Sequence, residues 1–219
     1  LTTSKLKSKV IKLLLDVDTG IDDALALFFL AYAQKQGQLE ILGSTTVGGN
    51  AEVSQTTLNT LKIWEMLELE IPVASGAERP LLGPLETAPF VHGDDGLGNT
   101  LLSEPRNSPS EESAADMILR LSHEYSGELT ILTTAPLTNI AVALLRDSSL
   151  AGRIRNLVIM GGAVFSGNVS AVTEANITND PEAARIVFRS GIEMTLVGLD
   201  VTHEVFWEES DLELSLIHI

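Results

Sequence analysis

Lys12-Leu13-Leu14-Leu15-Asp16-Val17-Asp18-Thr19-Gly20-Ile21-Asp22-Asp23-Ala24 joins an apolar stretch to a helical pattern through a run that holds four carboxylates in eight positions. The apolar part, Ile11 to Leu15, is short and bounded by lysine on one side and aspartate on the other. That pattern fits a buried parallel strand better than a helix. After the turn at Gly20, residues Ala24, Leu25, Leu27, Phe28, Leu30 and Ala31 recur at helical spacing. The carboxylates therefore belong to a strand-to-helix junction, and in open α/β sheets that carboxyl edge is where ligands bind.

Four anions crowded at the end of a buried strand repel one another in a low-dielectric setting, so protons or a cation must neutralise them. Oxygen ligands select hard cations. The chain has no cysteine and no paired-histidine motif, which leaves little on which to build a zinc or copper site. Calcium or magnesium is the natural occupant, and calcium tolerates backbone carbonyls and substrate hydroxyls in an irregular shell. A lone Asp here would be read as a turn cap or as a complement to the helix dipole. The clustering favours the metal.

Composition bounds the rest. With 219 residues, 44% of them hydrophobic, the chain can bury one substantial core as a single domain. A net charge of −16 disfavours nucleic acid as a partner, because phosphate binding needs clustered Lys and Arg. No apolar run is long enough to span a bilayer, Leu1 to Val10 lacks the apolar core of a secretory signal, and cysteine is absent. The expectation is a soluble, cytoplasmic protein with no membrane contact, although a chain opening on Leu leaves a lost leader open.

Strands and helices alternate along the chain. Glu40 to Val47 reads as a strand, Asn50 as the cap of a helix over Ala51 to Glu68, and Pro72 to Ser75 as a third strand. Glu78 to Pro109, rich in Gly and Pro, is too long for an ordinary connection and reads as a functional loop or a short inserted element. Then follow a helix over Ser110 to Tyr125, a strand over Leu129 to Thr133, and a helix entered through Pro136 and ending at Arg146. A strand over Leu157 to Met160, a helix opened by Asp180-Pro181-Glu182, and a strand over Met194 to Leu199 complete the series. This alternation predicts an α/β, Rossmann-like, mostly parallel sheet with helices on both faces.

The strand ends present Thr45 to Asn50, Thr133 to Asn139, and Gly161-Gly162 followed by Asn168, Glu174 and Asn176. Side-chain amides, a carboxylate and exposed carbonyls on one edge make a rim suited to several hydroxyl groups, as a sugar presents them. Taken singly, Asn50 and Asn139 read as caps or turn formers and the glycines as turn residues. Their shared placement favours function.

Asp16 to Ala24 resembles the signature of the inosine-uridine preferring nucleoside hydrolases. The likeness continues through Thr45 to Asn50, His92-Gly93, Pro136 to Ala141, Met160 to Gly162, Asn168, Glu174, Asn176 and Asp180 to Ala184. It implies a calcium-dependent N-glycosidase that splits ribonucleosides into ribose and free base, homo-oligomeric when complete. By position, it makes Asp18, Asp23 and the backbone carbonyl of Thr134 the calcium ligands, with Asp18 also taking a proton from the attacking water. Asp22, Asn168, Glu174 and Asn176 would hold the ribose hydroxyls, Asn50 would support the metal and sugar shell, and His92 would lie near the base. Such residue types suit an oxocarbenium-like transition state, which anionic surroundings stabilise.

The resemblance also implies a later helix carrying His next to Asp, which has no counterpart here. Neither His203 nor His218 fills that role. Leu214 to Ile219 resembles a translated sequencing adapter, so the domain is expected over residues 1–213, incomplete at its C-terminus. An ordinary apolar strand or helix start remains the alternative for that tail. Two other functions stay open. Haloacid dehalogenase-like phosphatases also place Asp-x-Asp-x-Thr after a first apolar strand, which would make Asp16 the nucleophile and Asp18 the acid. A riboside- or calcium-binding chain without turnover is the other.

Overall fold

The computed structural model describes residues 9–206. Strand β1 (Ile11–Val17) lies in the middle of a six-stranded sheet, between β2 (Leu39–Thr46) and β4 (Leu129–Thr133). Outside them lie β3 (Val73–Ser75), β5 (Ile154–Met160) and β6 (Met194–Val197), giving the order β3-β2-β1-β4-β5-β6 with every pairing parallel. The strand order reverses between β1 and β4, and the crevice at such a reversal is where a sheet of this kind binds its ligand. The expected Rossmann-like α/β fold is what forms.

Alternation along β1 divides the core. Leu13, Leu15 and Val17 pack with Ala24, Leu27, Leu30 and Ala31 of helix α1 (Ile21–Lys35) and with Leu61, Ile63 and Trp64 of α2 (Val53–Met66). Leu14 turns the other way, into a cluster with Met117, Ile118 and Leu121. The connections that build this second face are α4 (Ala114–Glu124), α5 (Thr138–Arg146) and α7 (Pro181–Phe188). Both faces are thus covered by helices, which is why the central strands read as near-continuous apolar runs.

The short helices α3 (Pro89–His92), α6 (Ala175–Asn179) and α8 (Leu199–Thr202) sit in connections. The first of these lies within the long Gly- and Pro-rich stretch, where the Asp95 carboxylate also accepts the N–H groups of Leu97 and Asn99, each at 2.8 Å. Several boundaries differ from the sequence expectation. Helix α2 starts at Val53 with Glu52 at its cap, because the Asn50 side chain is engaged elsewhere. Pro136 precedes α5 without entering it, and β6 ends at Val197, so that Asp200 falls in α8. The tail Leu214 to Ile219, His218 included, lies outside the described residues, as do Leu1 to Ser8. Among the described residues no helix is long and apolar enough to cross a membrane.

Candidate active site

Two carboxylates stand at the reversal point, both buried. Asp18 follows β1 directly; its Oδ2 accepts the backbone N–H of Asn50 at 2.8 Å, while its Oδ1 is buried and has no partner. Asp23, in the first turn of α1, accepts the Gly20 N–H at 3.0 Å and the Asn50 side-chain amide at 3.2 Å on Oδ2. Its Oδ1 receives the hydroxyl of Thr134, just past β4. Asn50 therefore ties the two acids together, since its Nδ2 also donates to the Asp18 carbonyl at 3.3 Å. Gly49 allows this approach: a Cβ there would stand 2.0 Å from Asp18 Oδ2.

Burial pushes the Asp18 carboxyl well above the usual carboxylate range, and the neighbouring Asp23 pushes it further. Asp23 is raised to about 7, first by burial and then by Asp22, against hydrogen bonds from Gly20, Thr134 and Asn50 that pull the other way. The site is a pair of buried carboxyls whose own hydrogen bonds do not offset the cost of ionising them. Asp18 Oδ1, Asp23 and the Thr134 carbonyl supply hard oxygen donors at one point of the sheet edge. Among the described residues no three acidic, histidine or cysteine side chains converge on a metal position.

Around this pair opens a cleft of about 1390 Å³, whose lining includes Asp18, Asp22, Asn50, His92, Asn168, Glu174 and Asn176 as well as Thr134. The residues singled out in the sequence as lining one edge are thus brought together, with Asp23 immediately behind. Asp22 is exposed at the start of α1, with Oδ1 3.8 Å from Nδ1 of the buried His92. That ring nitrogen accepts the Ile21 N–H at 3.2 Å, which fixes the ring against α1. Glu174 caps α6 by accepting from Asn176 and Ile177, at 2.9 and 3.1 Å, and also takes the Gly162 N–H at 2.8 Å. Asn176 Nδ2 donates to the Thr134 carbonyl at 2.9 Å, and Asn168 Oδ1 accepts the Ala175 N–H at 3.0 Å.

A family model described as inosine-uridine preferring nucleoside hydrolase matches residues 13–217. The chain belongs to that family. This nucleoside hydrolase chain is 46% identical over 204 residues to Uridine nucleosidase 1 of Arabidopsis thaliana, covering 92% of its own length and 60% of the relative's. A solved plant nucleoside hydrolase, PpNRh1, superposes with a TM-score of 0.87 at 40% identity, over 93% of this chain and 64% of that one. The purine-preferring ribonucleoside hydrolase of Gardnerella vaginalis also gives 0.87, at 38% identity over 92% and 65%. The chain thus spans rather less than two thirds of the length of these relatives.

Family membership sets the phosphatase reading aside, and so does the position of Asp16. That side chain is fully buried and outside the cleft lining, with Oδ1 accepting from Thr45 at 2.6 Å and from Asn139 at 2.8 Å. It cannot reach a substrate as a nucleophile. Asn139, which reads in the sequence as a turn former, instead bridges segments: its Nδ2 also donates to the Thr46 carbonyl at 2.9 Å and its Oδ1 accepts the Ala77 N–H at 2.9 Å. Asp180 was legible as the cap of α7 but not as a latch. Its Oδ2 also holds the Leu81 N–H at 2.8 Å and the Thr138 hydroxyl at 2.7 Å, pinning the segment that carries the cleft rim.

Proposed function

We propose that this chain carries the sugar- and metal-binding part of a calcium-dependent ribonucleoside hydrolase, which cleaves the N-glycosidic bond to give ribose and free base. The carrying observation is the buried Asp18 and Asp23 pair, bridged by Asn50, with one Asp18 oxygen unpartnered beside the cleft. The donor set fits a hard divalent cation. Asp18, Asp23 and the Thr134 carbonyl would hold calcium, which when bound supplies positive charge that orients the attacking water and the ribose diol. Asp18 takes the proton of that water. Asp22, Asn168, Glu174 and Asn176 grip the ribose hydroxyls, and the anionic rim stabilises the positive charge that builds up at the anomeric carbon. Asn50 keeps the two carboxylates side by side, and His92 lines the end that receives the base.

In this reading residues 1–213 form the larger part of one domain, homo-oligomeric when complete and working in the cytoplasm. Relatives named for uridine and for purine nucleosides both match, so the reading covers ribonucleosides as a class. The test combines calorimetric calcium titration with assays of base release from uridine and inosine, on the parent and on Asp18→Ala. Calcium binding in the parent that Asp18→Ala abolishes supports the reading. Unchanged titrations in a folded Asp18→Ala protein, or phosphate release from phosphate esters in place of base release, would overturn it.

A further inference from the structure

The buried side of α2 is polar through its first half and apolar beyond. Thr56, Thr57, Asn59 and Thr60 are all buried, and Leu61, Ile63 and Trp64 follow them. The three hydroxyls serve the adjoining strand ends: Thr56 donates to the Val47 carbonyl at 3.0 Å, Thr57 meets the Thr46 hydroxyl at 2.6 Å, and Thr60 meets the Thr19 hydroxyl at 2.7 Å. Asn59 reaches farther. Its Oδ1 accepts from Gln55, one turn earlier, at 2.8 Å. The two hydrogens of its Nδ2 go to two separate loops, to the Thr19 carbonyl at 3.1 Å and to the Asp95 carbonyl at 2.9 Å. Burying a primary amide is costly unless its bonds are made, and a leucine of similar volume would fill the same space, so packing alone does not account for this residue.

The two loops belong to different parts of the cleft. Thr19 sits between Asp18 and Asp23, in the acidic turn. Asp95 lies three residues past His92, in segment 93–99. That segment is tied mostly to itself and its flanks: the Asp95 carboxylate accepts the N–H groups of Leu97 and Asn99, the Gly98 N–H donates to the His92 carbonyl at 2.7 Å, and the Asp94 N–H donates to Asn99 Oδ1 at 2.9 Å. Among the described residues, the Asn59 amide is the one hydrogen-bond donor or acceptor that reaches 93–99 from outside 89–101. The acidic turn has further ties, through Thr60 and Asn50. Gly96 admits the amide: its φ is +75°, and a Cβ there would stand 2.8 Å from Asn59 Nδ2. Where the two loops meet, the Ile21 N–H donates to His92 Nδ1 at 3.2 Å.

We propose that Asn59 is a positioning residue, whose one amide holds the Thr19 and Asp95 carbonyls together, fixes His92 against the acidic turn, and so sets the base-dependent share of riboside binding. Asn59 is absent from the cleft lining and acts only through the two loops it joins. Asn168, Glu174 and Asn176, assigned above to the sugar, follow β5 and make no bond to it. The clamp stands on its own geometry, while its consequence for the base rests on the riboside reading of the site.

Two measurements separate these layers. The first is amide exchange by NMR without calcium, on the parent, on Asn59→Leu, and on Leu61→Ala, which empties a buried core position of the same helix. Corrected for the change at β4 amides, which follow global stability, the Ile21 and Gly98 amides should exchange about tenfold faster in Asn59→Leu and within about twofold of the parent in Leu61→Ala. Gly96→Ala attacks the same contact from the loop and should give the same local effect if Asn59→Leu does not fold. The second is calorimetry at saturating calcium. Uridine affinity should fall about tenfold in the clamp variant, the scale of one lost hydrogen bond, while ribose affinity stays within about twofold. A merely destabilising substitution does not divide the two ligands, and Leu61→Ala should not. Corrected Ile21 and Gly98 exchange equal to that of the parent overturns the inference, as does an equal loss of affinity for uridine and ribose. If the parent binds neither ligand, the riboside reading fails and the exchange result alone decides whether Asn59 is the clamp.

Discussion

Raising the pH from 5 to 7.5 in the absence of calcium should destabilise the fold, and calcium should reverse the trend. Burial, followed by the charge of Asp22, holds the Asp23 carboxyl at about 7 against an ordinary 3.8. Asp16 is held at about 6, again by burial. The folded chain therefore keeps these protons more tightly than the unfolded chain does. Below the ordinary carboxylate value both states are protonated and nothing is lost. Between that value and about 7 the unfolded chain has ionised while Asp23 in the fold has not, and stability falls by about 1.4 kcal/mol per pH unit. From pH 5 to 7 Asp23 alone accounts for about 3 kcal/mol on that slope, and Asp16 acts in the same direction. Calcium binds only the ionised carboxylates, so its affinity should rise about tenfold per pH unit for each ligand still protonated. Urea denaturation at several pH values, with chelator and with saturating calcium, reads both effects. Asp23→Asn should flatten the chelator profile and remove the response to calcium. A chelator midpoint that stays level or rises between pH 5 and 7.5 would refute the reasoning.

Gly49→Ala puts a methyl group 2.0 Å from Asp18 Oδ2, so calcium titration should show loss of binding even where circular dichroism is unchanged; normal affinity would mean that the carboxylate can move aside freely. Asn176→Ala, if Asn176 grips the sugar, should reduce the rate of base release about tenfold to a hundredfold, the effect of losing one strong hydrogen bond, of about 1.5–3 kcal/mol; a rate within twofold of the parent places it outside the site. Asn139→Ala leaves the Ala77 N–H, the Thr46 carbonyl and Asp16 short of a partner and should lower stability by about 2–4 kcal/mol, read from the urea midpoint; an unchanged midpoint would show that water replaces the amide.

The fold was legible because β1 is buried on both faces, and its apolar run and those of β4 and β5 stand out from amphipathic connections such as α4 and α7. The acidic junction was legible because its residues are consecutive. The hydrogen-bond partners of Asn50 and Asn139 were not, because an asparagine before a helix looks the same whether it caps that helix or reaches across the sheet, and only the parallel register brings those partners near. Asp180 was half legible: its cap of α7 is a local bond, but its bond to Leu81 joins positions 99 residues apart. The exposure of Leu25, Phe29 and Tyr32 on α1 was hidden by composition, since an apolar outer face and an apolar inner face merge into one hydrophobic run.

The reversal between β1 and β4 is the position where dinucleotide-binding sheets of the same strand order present a glycine-rich turn and a helix N-terminus to a pyrophosphate. Here the turn after β1 carries Asp18 and the first turn of α1 carries Asp22 and Asp23, so the crevice has the opposite sign. Two unit charges about 6 Å apart repel by about 3 kcal/mol at an effective dielectric of 20. A 5′-phosphate entering this crevice meets several such charges, and a single divalent cation offsets only two of them. On the proposed reading, the same acids that would gather a cation and a neutral sugar would disfavour a nucleotide, so a competition titration should rank uridine above its monophosphate. A cell's phosphorylated pool would pass such a site untouched, and only nucleosides, already stripped of phosphate, would give up their bases to it.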